Sequence, residues 1–395
     1  MIFFKRKRYA GLLICLGAAL FLFQGAAPKP ADPSSRAGLP KEGILEELKL
    51  FSRALGAIEE AFVNDVQPRQ LLYSAVQGML AGLGDRYTEF IDPKRYALLQ
   101  IQLKGEYAGI GAMLEIVDNF PAIRSVRPDS AAHKAGLLAG DKIIRINQVT
   151  TQGLPLTEIG PKLRGEAGTA LVLTIQRLDG KVFDVEVVRE TVQIEAVKDV
   201  RMVGKQTGYI WLQQWQEKTV NQVDDAVKKL REQGMRALII DVRNNDGGLL
   251  PMAVSLSKKF LEEGRTIVSV SSKLKEQRKD YISDGDEHSY SDIKLVILVN
   301  GRSASASEVF SAAMQDNKRA VLVGVQTFGK ASVQSLVPLD ENSAMKLTTA
   351  RYKSPNGRVI DHVGITPDYV IENVPDGQGP DRQVLKAIEI LREYM

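Results

Sequence analysis

A chain of 395 residues is longer than one compact core supports, so two or three domains are expected. Its composition, 44% hydrophobic and 25% charged, is that of a folded globular protein rather than a disordered one. The formal net charge of +4 owes much to the extreme N-terminus and comes with no basic stripe interleaved with aromatics, which excludes the pattern of a nucleic-acid binder.

Lys5, Arg6, Lys7 and Arg8 precede an apolar run from Tyr9 to Phe23, which leaves through Gln24-Gly25-Ala26-Ala27-Pro28. A basic start, an apolar stretch and a small-residue exit predict a secretory signal over residues 1–27, cut after Ala27. At about 15 residues the run is shorter than the roughly 20 a spanning helix takes, which leaves an uncleaved anchor as the alternative. Either way, the positive residues place the remainder outside the cytoplasm, in the periplasm or on the outer face of the cytoplasmic membrane. Membrane contact is then expected only through this segment, if it is uncleaved. The single cysteine, Cys15, lies inside the run, so a processed chain has no disulfide, no cysteine nucleophile and no thiolate metal site.

A Pro-, Ser- and Ala-rich stretch from Pro28 to Gly38 reads as a tether, and residues 28–42 as a linker. From Gly43 to Val63, Ile44, Leu48, Phe51, Leu55, Ile58 and Phe62 recur at steps of four and three, which is helical spacing. A second helical pattern runs from Gln70 to Leu83, and the two make up an arm over 43–95 with no catalytic constellation. Such an arm packs on the body of the protein or on a second subunit.

Between Gly105 and Glu190, short β-rich runs alternate with glycine turns and two short helical stretches. Four motifs follow in order: Tyr107-Ala108-Gly109-Ile110-Gly111-Ala112, Asp129 to Leu137, Gly140-Asp141-Lys142 to Asn147, and Arg164-Gly165-Glu166-Ala167-Gly168-Thr169. Together they resemble a PDZ domain, over residues 96–192. Gly109, Ile110 and Gly111 then form the ligand-binding loop, where converging backbone N–H groups receive a terminal carboxylate and a ligand strand adds at an open sheet edge.

From Thr207 onward strands and helices alternate, which predicts a layered α/β domain with a parallel sheet. Three of its stretches carry catalytic potential. Asn300-Gly301-Arg302-Ser303-Ala304-Ser305-Ala306-Ser307-Glu308 lies where a strand ends and a helix begins, and helix-start N–H groups there favour developing negative charge. Phe328-Gly329-Lys330-Ala331-Ser332-Val333-Gln334 is the turn after the next strand. Asp241-Val242-Arg243-Asn244-Asn245-Asp246-Gly247-Gly248-Leu249 is again strand to helix. Loops after neighbouring parallel strands gather on one sheet edge, so Ser305 and Lys330 can meet there.

These stretches, with Gly78-Met79-Leu80, the PDZ motifs, Thr349 to Arg358 and Gly364-Ile365-Thr366-Pro367-Asp368, resemble the carboxyl-terminal processing, or tail-specific, serine peptidases. The resemblance implies an α/β fold with a helical N-terminal arm, a β-rich PDZ domain with two short helices, and a catalytic domain over 193–395 with a partly parallel sheet. It implies Ser305 as nucleophile, Lys330 as general base and Gln334 as the residue that holds the lysine. The oxyanion would lie on the backbone N–H of Ala306 and one from Gly247 or Gly248. Helix-start chemistry alone does not choose Ser305 over Ser303 and Ser307, since any of the three suits a helix N-cap. The chain departs from the pattern twice: Arg86 and Asp246 stand where the family more often has proline.

A lysine of pKa about 10.4 serves as a base only if burial lowers that value, and Phe328 with the surrounding apolar strands is the expected agent. His133, His288 and His362 are scattered, match no base of the family and build no metal motif, so neither metal nor cofactor is expected. Protein substrates with exposed C-terminal tails are the expected partners, with a homodimer or a regulatory adaptor left open. A catalytically silent PDZ adaptor that binds tails in the cell envelope is the alternative from another class.

Overall fold

The computed structural model describes residues 42–285, 290–372 and 379–393. The leader, nearly all of the linker and His288 lie outside these residues. The described chain forms two compact units, one from Lys104 to Glu195 and the other from the chain on either side of it.

The second unit opens with helices α1 (Glu42–Ala61) and α2 (Pro68–Ala81). Proline suits the first turn of α2, where its missing N–H would have had no intrahelical partner. The apolar stripe of α1 is largely uncovered: Leu48 is 51% and Phe51 40% exposed. Helix α2 is better anchored, with Tyr73 packed 4.7 Å from the ring of Phe90 in strand β1 (Glu89–Ile91) and Arg69 paired with Asp340 at 2.6 Å. Helix α3 (Pro93–Lys104) closes this N-terminal part. Residues 96–103, expected in the following domain, instead continue this helix.

The Lys104–Glu195 unit contains β2 (Glu106–Gly109), β3 (Ala112–Val117), β4 (Phe120–Val126), α4 (Ala131–Lys134), β5 (Lys142–Ile146), β6 (Val149–Thr150), α5 (Leu156–Leu163), β7 (Ala170–Gln176), β8 (Val182–Val188) and β9 (Glu190–Gln193). Its main sheet runs β3-β4-β5-β7-β8, antiparallel throughout. Ile123, Ile143, Leu173 and Ile175 bring one face together with Ile159 of α5, all of them fully buried. The predicted β-rich domain with two short helices is what the chain builds.

The remaining elements are β10 (Val197–Met202), β11 (Thr207–Leu212), α6 (Thr219–Glu232), β12 (Ala237–Asp241), α7 (Leu250–Phe260), β13 (Thr266–Ser272), β14 (Lys279–Ile282), β15 (Lys294–Val299), α8 (Ala306–Asp316), β16 (Ala320–Gly324), β17 (Ser332–Pro338), β18 (Ala344–Lys353), β19 (Tyr369–Val370) and α9 (Arg382–Glu393). Strands β10-β11-β12-β15-β16-β19 form a sheet that is parallel except for its first pair. Strands β12 and β15 read as unbroken apolar runs because both their faces are covered. Leu238, Ile240, Leu295 and Ile297 join the core beneath α6, α7 and α8, while Ile239, Val296 and Leu298 meet Ala387, Ile390 and Leu391 of α9. A separate antiparallel sheet, β1-β18-β13-β14 with β17 also on β18, includes the hairpin strand that follows Lys330.

Candidate active site

Parallel β12, β15 and β16 end on one edge, and the three turns that leave them are stitched together there. The Ala304 N–H donates to the Asn245 carbonyl at 3.0 Å, the Asn244 N–H to Asn300 Oδ1 at 3.0 Å, and the Phe328 N–H to the Ser303 carbonyl at 3.1 Å. Strand register thus carries Ser305, Lys330 and the Gly247-Gly248 pair to one place.

Ser305 is the N-cap of α8, and its backbone is strained, with φ 56° and ψ −117°. A non-glycine residue in that region costs about 1–3 kcal/mol and persists only where surroundings enforce it. Here Glu308 Oε2 accepts from the Ser305 N–H at 2.9 Å, and the Glu308 and Val309 N–H groups donate back to the Ser305 carbonyl. Gly247 completes the enforcement: its φ is 104°, and a Cβ there would lie 2.7 Å from Ser305 Cβ. The flanking serines have other employment. Ser303 Oγ donates to the Val242 carbonyl at 2.8 Å, and Ser307 Oγ to the Asn245 carbonyl at 3.0 Å while it accepts from Trp215 Nε1. Both are fully buried, whereas Ser305 is only half-buried and donates to no carbonyl among the described residues.

Glu308 is the hub of the site. Fully buried, it accepts from Thr327 Oγ1 (2.5 Å) and the Gly329 N–H (2.7 Å) on one oxygen, and from the N–H groups of Lys330 (2.8 Å) and Ser305 (2.9 Å) on the other. Burial pushes its carboxyl pKa up, against the pull of these donors. One carboxylate thereby fixes the serine turn to the lysine turn. The Tyr352 hydroxyl adds a second tie, lying against the carbonyls of Ser305 (3.1 Å) and Lys330. Its pKa is driven far upward, chiefly by burial and then by the charges of Glu308 and Asp361, so it stays a neutral phenol. Neither role was legible beforehand. The only advance signal was the place of both residues in the quoted motifs.

Burial lowers the pKa of Lys330 to about 8, with help from the like charge of Lys346 and against Glu308, Asp246 and Asp85. The aromatic neighbour of its amine differs from the expected one: Nζ lies 4.9 Å from the Tyr87 ring centre, while Phe328 is 47% exposed. Tyr87 comes from the loop before β1, too far off in sequence for local pattern to place it. Gln334 sits on β17 with its amide donating to Ser332 Oγ (2.8 Å) and Thr348 Oγ1 (3.2 Å). Among the described residues no hydrogen bond joins Lys330 Nζ to Gln334 or to Ser305 Oγ.

The two glycines differ. The Gly247 N–H donates to Asn245 Oδ1 at 3.0 Å, so in this arrangement it is already occupied. Gly248 is bridged to Trp215 through its neighbours, the Trp215 N–H meeting the Gly247 carbonyl and the Leu249 N–H meeting the Trp215 carbonyl. The N–H groups of Gly248 and Ala306 have no acceptor among the described residues. Behind this turn, Arg243 grips Asp241 (2.5 Å) and Asp381 (2.8 Å), and Tyr209 donates to Asp241 (2.7 Å). That buried network fixes the root of the turn to α9.

His362 presents an exposed imidazole, and its backbone N–H donates to the Gly329 carbonyl (2.9 Å) and supports the lysine turn. In the other unit, His133 Nδ1 accepts from the Asp129 N–H. In that unit too, the carbonyls of Ile110 and Gly111 are occupied by the N–H groups of Ala132 (2.7 Å) and Arg127 (3.0 Å). Gly109 ends β2 opposite Glu190 of β9, Gly111 turns the chain at φ 75°, and β3 beyond it is an edge strand paired, among the described residues, only with β4. An open edge beside such a loop suits an added strand that ends in a carboxylate.

The profile of "Peptidase family S41" matches residues 206–371, that of "PDZ domain" residues 123–177, and that of "Activating protease CtpB N-terminal domain" residues 22–95. A carboxy-terminal-processing protease of Bartonella bacilliformis is 36% identical over 338 residues, 84% of this chain and 76% of that protein. A carboxyl-terminal-processing protease of Picosynechococcus sp. is 32% identical over 345 residues, 83% of this chain and 81% of that one. Among solved structures, a photosystem II D1 C-terminal processing protease aligns at 28% identity with a TM-score of 0.47, over 82% of this chain and 93% of that one.

Proposed function

The chain belongs to the carboxyl-terminal processing serine peptidases of family S41 with a PDZ domain, and we propose that it cleaves exported proteins near their C-termini with Ser305 as nucleophile and Lys330 as general base. The observation that carries this reading is the single carboxylate of Glu308, which binds the backbone of both residues at 2.9 and 2.8 Å.

The proton steps follow from the chemistry of the groups. A serine hydroxyl is a weak nucleophile until a neighbouring base takes its proton. With its pKa near 8, Lys330 is neutral in an appreciable fraction at neutral pH, as an ordinary lysine is not. Neutral Lys330 accepts the Ser305 proton as Oγ attacks the scissile carbonyl, then returns it to the leaving amine. Water repeats the sequence on the acyl-enzyme. The oxyanion lies on the N–H of Ala306, at the start of α8, with Gly248 as second donor in place of Gly247. Proton transfer has the Lys330 amine turn from Tyr87 toward Ser305 Oγ, and Gln334 Oε1, which accepts no hydrogen bond among the described residues, then receives the amine. The Gly109–Gly111 loop captures the substrate tail by its terminal carboxylate, and residues 1–27 export the protein or anchor it at the outer face of the membrane.

A silent tail-binding adaptor draws support from one observation, the Gly247 N–H, which is bound to Asn245 Oδ1 and not offered to an oxyanion. Incubation of wild type, Ser305→Ala and Lys330→Ala with a panel of exported proteins separates the readings, with mass spectrometry of new termini. The expected result is cleavage by wild type alone, with both variants folded. Full activity of Lys330→Ala would sink the mechanism, and a tail that binds but is never cut favours the adaptor. Cell fractionation tests the location, and recovery of the protein in the cytoplasm would refute export.

A further inference from the structure

Arg86 lies in the loop before β1, and its guanidinium carbon sits 4.7 Å from the ring centre of Tyr87 and 5.6 Å from that of Phe328. One terminal N–H donates to the Tyr87 hydroxyl at 2.6 Å. The same Tyr87 ring carries Lys330 Nζ, and Phe328 stands two residues before that lysine. The cation is therefore held beside the reacting centre by two aromatic faces and a hydrogen bond. Stacking of this kind favours arginine, whose planar fork then keeps its remaining donors in fixed directions.

That fork is exposed, and among the described residues no carboxylate pairs with it. The adjacent Asp85 is committed elsewhere, accepting from Thr88 Oγ1 at 2.6 Å and the Tyr87 N–H at 3.2 Å. An immobilised, unpaired guanidinium has already lost most of the side-chain freedom that binding would cost it, and its geometry suits a carboxylate taken by two parallel N–H donors.

We infer that Arg86 is a specificity-determining residue, which receives a substrate carboxylate next to the scissile bond. The carboxylate comes either from an acidic side chain or from the free end of a short tail. The inference rests on the Ser305–Lys330 reading, because that reading places the scissile bond.

The test uses the full-length protein and peptides of one cleavable sequence, with Glu or Gln at each position flanking the scissile bond and with a free or amidated C-terminus. The ratio of kcat/KM within each pair is measured for wild type, Arg86→Gln and Arg86→Lys. In wild type at low salt, one pair should differ by about tenfold or more, as expected of a charge-assisted hydrogen bond. That ratio should fall to about one in Arg86→Gln, survive in part in Arg86→Lys and shrink as salt screens the charge. A Glu/Gln pair identifies a side chain, and a free/amidated pair the terminal carboxylate. Equal slowing of every peptide in Arg86→Gln would overturn the inference, as would the absence of any discriminating pair in wild type. If wild type cuts nothing, the serine–lysine reading falls. The affinities of the same peptides for Ser305→Ala, and for that variant with Arg86→Gln, then decide Arg86 separately: no carboxylate-dependent difference would overturn it.

Discussion

The two turns that flank Ser305 are held by different forces. On the lysine side, a buried carboxylate takes four hydrogen bonds and the Tyr352 hydroxyl adds a further tie across both carbonyls. On the glycine side, neutral bonds and close packing against Ser305 set the shape: the Gly247 N–H donates to Asn245 Oδ1, the Ala304 N–H and Ser307 Oγ donate to the Asn245 carbonyl, and Trp215 bridges the backbone on either side of Gly248. Charge-assisted bonds in a dry interior are strong and directional, so the proton-transfer half is preorganised. The half that would stabilise negative charge rests on steric fit and on neutral bonds, each weaker than a charge-assisted one. Damage to the first turn should therefore cost far more than damage to the second.

The harshest way to break this contrast is Glu308→Ala. Removing the acceptor leaves four donors in a dry site, so kcat should fall by about 100-fold or more and stability by about 3 kcal/mol or more. Glu308→Gln should be milder in stability yet still slow, because its NH₂ faces donors. Turnover and thermal melts of both variants check this, and a kcat within threefold of wild type in Glu308→Ala would end the idea of a hub. Asn245→Ala comes next, with a loss of about tenfold in kcat/KM and about 1–2 kcal/mol, the cost of freeing the Gly247 N–H and losing the bond from Asn245 to the Leu212 carbonyl. An effect as large as that of Glu308→Ala would erase the contrast between the turns.

Tyr352→Phe removes only the hydroxyl, and a fall of a few-fold in kcat with about 1 kcal/mol of stability is expected, read by the same two measurements. The smallest effect is a displacement of the pH profile. Protonated Lys330 cannot accept a proton, so kcat/KM should climb with pH and level off above about 8. Lys346→Met removes a like charge that helps to keep that pKa down, so the climb should move to higher pH. A flat profile between about pH 6 and about pH 9, roughly two units below and one above the Lys330 value, or a shift in the other direction, would contradict the assignment of the base.

How much was legible depended on how local the cause was. The strand–turn–helix succession and the motif around Ser305 are local, and both appear in the α/β layer where the pattern put them. The arm's helices follow their periodicity, yet α1 leaves Leu48 and Phe51 uncovered, which periodicity does not report. Helix α3 lay hidden because Pro93 to Lys104 has no clean apolar stripe, and it moved the boundary of the next unit. Gln334 was expected against Lys330 and is found on Ser332 and Thr348, because the irregular pairing between β17 and β18 brings Thr348 opposite it.

The sequence alone determined that Ser305 and Lys330 end neighbouring strands, since apolar runs and glycine turns make parallel strands whose loops share an edge. It also determined the PDZ unit, whose four motifs occupy one stretch of chain. Tertiary structure decided which serine is available, because only packing reveals that Ser303 and Ser307 are tied to carbonyls of the β12 turn. It likewise decided how Lys330 comes to have a low pKa. Burial is a property of what surrounds a residue, and here Tyr87 and Lys346 arrive from strands and loops far away in sequence.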